Sequence, residues 1–270
     1  VQLTALIARN RDNQRDANSV YSTNAKKNKM TQSYEKYHEQ YFLQMNDPTR
    51  EAFESAAKAY ATWYRRFLPA NKSIKILDVG CGMGHFLYFL EKEGYTNYWG
   101  IDLSPSQVRF VGKNVTKRVT LADAFDYLRT NDAFDVIAAN DILEHISKDA
   151  TQRFLTLLHD ALKANGLLFI KTPNMSNPFG LKSRYQDFTH QVGFTEDSLK
   201  LVLRVSGFRE LQITGTSYAV QSRRSWIAKL GEWITHKILE QMFKAQGYTH
   251  PNILEPNLIA ICVKGESSTA

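Results

Sequence analysis

The chain has 270 residues, 43% of them hydrophobic and 12% aromatic, with a formal charge of +7 at neutral pH. That is enough apolar material for one large domain, and it excludes a disordered or fibrous chain. Cys81 and Cys262 are too few and too far apart for a disulfide framework or a cysteine zinc site, and no apolar run approaches the roughly 20 residues of a membrane span.

Residues 1–30 are polar and read as an arm or as the tail of a preceding domain. Residues 31–70 form an N-terminal helical cover. Its aromatics run Tyr34, Tyr37, Tyr41, Phe42, then Phe53, Tyr60, Tyr64 and Phe67, and the Asp47-Pro48 step divides it into two helices. The main domain spans 71–270. Short apolar strands at Ile74–Val79, Tyr98–Ile101, Val119–Leu121, Phe134–Ala139 and Leu167–Lys171 alternate with helices at Phe86–Glu93, Gln107–Lys113 and Thr151–Lys163, the last ending near Asn165-Gly166. Phe194–Ser206 is a helix with a capping box at its start, followed by strands at Phe208–Thr214 and Leu258–Lys264. The pattern predicts a Rossmann-like, doubly wound α/β fold. Its seven-stranded sheet is mostly parallel with the last strand antiparallel, and an amphipathic helical insert at 221–248 precedes that strand.

The most informative stretch is Asp78-Val79-Gly80-Cys81-Gly82-Met83-Gly84, where a buried strand ends, three glycines follow at every second position and a helix begins. Glycine there allows positive φ and lets a ligand meet backbone N–H groups at a helix start. Asp102 ends the next strand, placed to accept hydrogen bonds from the ribose hydroxyls of an adenosine ligand. Dinucleotide sites space their third glycine one residue later. They also lack an acid at the position of Asp78, which suits the ammonium group of S-adenosylmethionine. The reading is therefore an S-adenosylmethionine site rather than a dinucleotide site.

These residues resemble the class I S-adenosylmethionine-dependent methyltransferases over roughly Tyr60 to Thr214. Asp78 to Gly84 is similar to that family's first motif and Gly100-Ile101-Asp102-Leu103-Ser104-Pro105 to its second. Ala122-Asp123-Ala124 is similar to its third, and Phe134-Asp135-Val136-Ile137 through Asn140 to its fourth. The resemblance implies a cofactor site of Asp78, Gly80, Cys81, Gly82, Gly84, Asp102, Leu103, Asp123, Ala124 and Asn140. Asp123 would face the adenine amino group, and Asn140 would lie beside the methionine part. Leu143-Glu144-His145-Ile146, followed by Lys171-Thr172-Pro173-Asn174, resembles the ubiquinone-type small-molecule branch. Asp187-Phe188-Thr189-His190-Gln191-Val192-Gly193-Phe194-Thr195 resembles enzymes of surface-polysaccharide and sugar modification.

That second similarity implies O-methylation of a sugar or glycan, with a quinone or other small-molecule O- or N-methyltransferase as the alternative. A non-catalytic cofactor-binding module of a glycan-assembly protein is the alternative from another class. The acceptor is expected near Asn140–His145 and the long loop Pro173–Phe194, with His190 as the leading base and His145 as the second. Glu144, Arg184, Tyr185 and Asp187 are candidates for binding the acceptor. Asp141, Glu144, Asp187 and His190 could ligate a cation, but no fixed spacing supports a site and no metal is expected. Nucleic acid is not an expected partner, because the basic residues are scattered and neither an Asn/Asp-Pro-Pro-aromatic nor a Pro-Cys motif is present. The insert is read as a lid, with a homodimer surface and a peripheral membrane contact as the other options. The expected location is cytoplasmic, with the inner face of the membrane as the variant that a lipid-linked acceptor requires.

Overall fold

Alternation of side chains along buried strands builds two cores, one on each face of a central sheet. Leu77, Val79, Ile137 and Leu168 point to one face, and Ile76, Val136, Ala138 and Phe169 to the other. The computed structural model describes residues 47–131, 133–216 and 223–265. The polar arm and the first half of the helical cover lie outside the described residues.

The elements in chain order are α1 (Arg50–Tyr64), β1 (Ile76–Val79), α2 (His85–Lys92), β2 (Tyr98–Asp102), α3 (Pro105–Asn114), β3 (Val119–Leu121), α4 (Ala124–Thr130) and β4 (Phe134–Asn140). A 3-10 turn, Leu143–His145, follows. Then come α5 (Lys148–Ala161), β5 (Leu162–Pro173), α6 (Gly180–Gln186), α7 (Glu196–Val205), β6 (Phe208–Gly215), α8 (Arg223–Ala245) and β7 (Asn257–Lys264). The sheet order is β3-β2-β1-β4-β5-β7-β6. Neighbours from β3 through β5 pair in parallel, and β7 runs antiparallel to both β5 and β6. Strand order reverses between β1 and β4, so their carboxyl ends open a crevice at the point where such sheets bind ligands.

Two local expectations are corrected. The helix predicted to run to Lys163 stops at Ala161, and β5 begins at once, five residues before the expected Leu167. Asn165 and Gly166 do not end a helix; they lie at a register shift where β5 passes Phe134 to Val136 of β4. Asn165 takes φ +58°, which asparagine tolerates better than most residues. A Cβ on Gly166 would sit 2.9 Å from the Lys163 carbonyl oxygen. The loop Pro173–Phe194 is also not structureless: α6 lies within it, and Asn174 Nδ2 ties it to the Ile253 and Glu255 carbonyls at 2.9 Å each.

Helix α1 belongs to one of the two cores rather than lying loosely over it. Tyr64 is fully buried, its ring stacked 4.7 Å from Phe169, and its hydroxyl donates to Asn140 Oδ1 at 2.6 Å. Asn140 ends β4 at the crevice, so this bond carries packing into the site. Tyr64→Phe removes the donor to a buried carbonyl oxygen and is expected to cost about 1–3 kcal/mol in urea unfolding. An unchanged denaturation midpoint would show that Asn140 does not depend on it.

Helix α8 behaves differently. Trp226, Ile227, Trp233, Ile238 and Met242 are all more than half exposed. Among the described residues no helix is long and apolar enough to cross a membrane.

Candidate active site

The ends of β1, β2, β3 and β4 and the loop before α7 enclose a cavity of about 660 Å³. Its first wall is the glycine turn. Gly80, Gly82 and Gly84 take φ values of +69°, +53° and +82°. The Gly80 and Cys81 N–H groups both donate to the Ile101 carbonyl oxygen, at 2.9 and 3.0 Å, which folds the turn back over β2. A Cβ on Gly80 would stand 2.8 Å from Ile142 Cδ1, at a backbone φ that side chains rarely adopt. Cys81 is buried beneath the turn and packs toward Gly100; burial pushes its thiol pKa well up, which suits filling rather than chemistry.

Asp102 holds the turn from the next strand: Oδ2 accepts from the Gly82 N–H at 2.9 Å and Oδ1 from the Ser104 N–H at 2.8 Å. Burial raises its pKa, and these backbone donors oppose the rise. Asp78 lies at 2% exposure, its pKa driven well up by burial and then by the charge on Asp102. The Asp102 charge thus opposes ionisation of Asp78, and a cationic ligand would relieve that repulsion. Asp123 caps α4 through Oδ1, which accepts from the N–H groups of Phe125 (2.8 Å) and Asp126 (3.3 Å).

The opposite wall forms where the loop Pro173–Phe194 returns onto the 3-10 turn. The Gln191 and Val192 N–H groups donate to the Glu144 carbonyl oxygen at 2.7 and 3.1 Å, and Gln191 Nε2 to that of His145 at 2.9 Å. This closure sets the His145 and His190 rings edge to face with centroids 4.6 Å apart. His190 Nδ1 lies 2.8 Å from the Ser183 carbonyl oxygen, which can only accept; Nδ1 therefore donates, and Nε2 is the ring nitrogen that faces Asp187 and Glu144. Thr189 Oγ1 donates to Asp187 Oδ1 at 2.6 Å and so accepts from His145 Nδ1 at 2.8 Å. Burial, and then the neighbouring His190, lower the His145 pKa and keep that ring neutral. Glu144, 2% exposed, accepts from Thr172 Oγ1 at 3.0 Å through Oε2, while Oε1 lies 4.0 Å from His190 Nε2. Burial and the nearby Asp141 push the Glu144 carboxyl up to about 8.

A sequence profile described as "Methyltransferase domain" matches residues 52–213. The chain belongs to the methyltransferase-domain family. That span is a methyltransferase domain, and it lies on an α/β sheet of the expected mostly parallel kind. An uncharacterized protein of Rickettsia prowazekii is 29% identical over 109 residues, which cover 38% of this chain and 44% of that protein. The chain thus matches less than half the length of this curated relative. Among solved structures, an S-adenosylmethionine-dependent methyltransferase from Archaeoglobus fulgidus superimposes with a TM-score of 0.61 and 22% identity, covering 83% of this chain and 100% of that one. A phosphoethanolamine N-methyltransferase from Haemonchus contortus, in complex with S-adenosylmethionine, gives 0.53 and 16% identity, over 86% of this chain and 60% of that one. At such identities these two show a shared fold.

Within this methyltransferase domain the structure gathers most of the residues singled out from sequence. Gly80, Asp102, Leu103, Asp123 and Ala124 line the cavity, and so do Glu144, His145, Asp187 and His190 across from them. Asp78, Cys81, Gly82, Gly84 and Asn140 belong to the same turn and strand ends but do not themselves line the cavity. Two candidates for acceptor binding are not brought in. Tyr185 is 75% exposed, and Arg184 bonds the carbonyl oxygens of His190 and Gln191, so it braces the loop that carries His190. Asp141, considered as a cation ligand, pairs with Lys171. No described side chain of α8 reaches the cavity, so the lid expected of the insert is not seen in this arrangement. Sequence reasoning missed Gln107, a cavity-lining residue whose buried Oε1 has no hydrogen-bond partner, and Thr172, Ser183 and Thr189, which orient the acidic and imidazole groups. The signal for Gln107 was its place in the first turn of the helix that follows Asp102; Thr172 and Thr189 lie in stretches that carry the family resemblance, and Ser183 carries no motif.

Proposed function

We propose that this domain transfers the methyl group of S-adenosylmethionine to a hydroxyl of a sugar or glycan. The observation that carries this reading is one cavity with a glycine turn and Asp102 on one wall and the paired imidazoles of His145 and His190 on the other. The residues fit the cofactor. Asp78 is a buried acid suited to its ammonium group, and Asp102 and Asp123 are carboxylates suited to the ribose and adenine. Asn140 Nδ2 is a buried donor without a partner beside the place proposed for the methionine part.

When bound, the sulfonium supplies an activated methyl group. Carbon–sulfur cleavage leaves the thioether, a carbon–oxygen bond forms on the acceptor, and the hydroxyl proton must leave. The chain's part is to align that oxygen and receive its proton. His190 Nε2, with Nδ1 pinned to Ser183, and the adjoining His145 and Glu144 form the group that meets the hydroxyl. Sugar as the acceptor rests on the similarity of Asp187–Thr195 to sugar-modifying enzymes and on the polar loop wall. The second reading, a quinone or another lipid-borne small molecule, is favoured by the exposed apolar side of α8. A membrane surface is the contact that would suit this helix, which also carries Lys229, Lys237 and Lys244.

The test is calorimetry with S-adenosylhomocysteine, followed by a methylation screen over nucleotide-sugars, glycans and quinones. Gly82→Arg places a bulky cation at φ +53° in the turn and is expected to abolish S-adenosylhomocysteine binding. Tight NADH binding in place of the homocysteine product would overturn the cofactor assignment. Methylation of quinones alone would replace the sugar reading with the second.

A further inference from the structure

We propose that Glu144, His145 and His190 form a binding site for a divalent cation at the acceptor end of the cavity. One ligand atom from each residue lies within 4.8 Å of the other two. An ion about 2.0–2.2 Å from each ligand needs separations of roughly 3–4 Å, so small side-chain rotations close the set. Glu144 Oε1 and His190 Nε2, at 4.0 Å, already meet that range.

The independent observation is how the three groups are held from behind. An imidazole that ligates a metal characteristically donates its other N–H to a carbonyl, hydroxyl or carboxylate, which fixes the tautomer and the ring plane. Both rings here do so: His190 Nδ1 to the Ser183 carbonyl oxygen and His145 Nδ1 to Thr189, itself bonded to Asp187. Each ring is thereby left with one lone pair to give. Thr172 likewise occupies Glu144 Oε2 at 3.0 Å, leaving Oε1 as the ligand atom. All three backing contacts come from elements other than the one bearing the ligand, or from the far side of its loop. A chance meeting of polar side chains would not supply three of them.

Two imidazoles and one carboxylate are a borderline donor set. They suit Mn²⁺, Fe²⁺, Co²⁺ or Zn²⁺ better than Mg²⁺ or Ca²⁺, which take mainly oxygen. Three protein ligands leave coordination positions open to the cavity, where an acceptor hydroxyl or a vicinal pair of hydroxyls would complete the shell and become more acidic. The ion's role in turnover rests on the acceptor reading above; its binding does not.

The experiment uses the full chain, stripped with EDTA and titrated with Mn²⁺ by calorimetry, while the spin resonance of free Mn²⁺ reports uptake. One Mn²⁺ per chain is expected, bound at least 10-fold more weakly by Glu144→Gln. Melting temperature and S-adenosylhomocysteine affinity serve as folding controls. Should Glu144→Gln fail to fold, Thr172→Val tests the same site through its backing contact, with a 10- to 100-fold loss expected. Stripped, folded protein that takes up neither Mn²⁺, Co²⁺ nor Zn²⁺, or a variant that binds as tightly as wild type, would overturn the site. The methyl-transfer reading would then stand with His190 as the proton acceptor. Mn²⁺ uptake without methylation of any hydroxyl acceptor would uphold the site and remove only the acceptor reading.

Discussion

His190→Ala is expected to lower kcat/KM for methyl transfer by about 10²- to 10⁴-fold while S-adenosylhomocysteine affinity stays within about twofold. The split follows from position. His190 lies on the loop wall, 3.7 Å from Asp187 and 4.0 Å from Glu144 by its Nε2, across the cavity from the glycine turn proposed to hold the cofactor. Whether Nε2 receives the hydroxyl proton or binds an ion that acidifies the hydroxyl, the same lone pair is lost. Alanine also releases the Ser183 carbonyl oxygen, so a melting curve must accompany the kinetics. His190→Gln, which keeps a donor and an acceptor without a basic nitrogen, should remain impaired. Turnover near wild type for His190→Ala with a verified acceptor would remove His190 from the chemistry.

Asp78→Asn is expected to stabilise the ligand-free protein at pH 8 and to weaken S-adenosylhomocysteine binding by about 10- to 150-fold. The affinity loss corresponds to a charge-assisted hydrogen bond worth about 1.5–3 kcal/mol. The stability gain follows from linkage. Burial and Asp102 hold the folded-state pKa of Asp78 well above its ordinary value of 3.8. A group shifted in that direction contributes all its stability below the unfolded pKa and loses it as pH rises through the folded one. Wild type should therefore fall behind Asp78→Asn progressively as pH rises above about 4, in melting temperatures taken without ligand. A variant less stable than wild type at pH 8, or one that binds the product as tightly, would show that Asp78 serves packing alone. A gain in stability with a loss in binding is the signature of a site shaped for its ligand.

The two results probe opposite walls, and the fold explains why both walls exist. The glycine turn and Asp102 belong to adjacent parallel strands, and the backbone bonds from Gly80, Cys81 and Gly82 lock one to the other. The acceptor wall has no such local origin. It depends on a loop returning from β5 to bond the backbone of Glu144 and His145, with Arg184 bracing the returning segment.

By itself the sequence determined the sheet and the glycine-turn wall of the cavity, because both are written in local terms. Apolar runs of strand length specify what must be buried. The spacing of Gly80, Gly82 and Gly84, all at positive φ, and the acids at strand ends are short-range signals that need no knowledge of distant contacts. Even there, the end of α5 was misplaced, since Asn165 and Gly166 serve a register shift whose need arises only from Phe134 on the neighbouring strand. Only the tertiary structure decided the acceptor wall. It brought His190 against His145 and Glu144, turned Tyr185 out to solvent and set Arg184 to loop bracing. It also left the apolar side of α8 exposed instead of laid over the cavity. The physical reason is range: the Thr172–Glu144 and Thr189–His145 bonds join residues 28 and 44 positions apart, and the Ser183–His190 bond depends on how the loop between them folds.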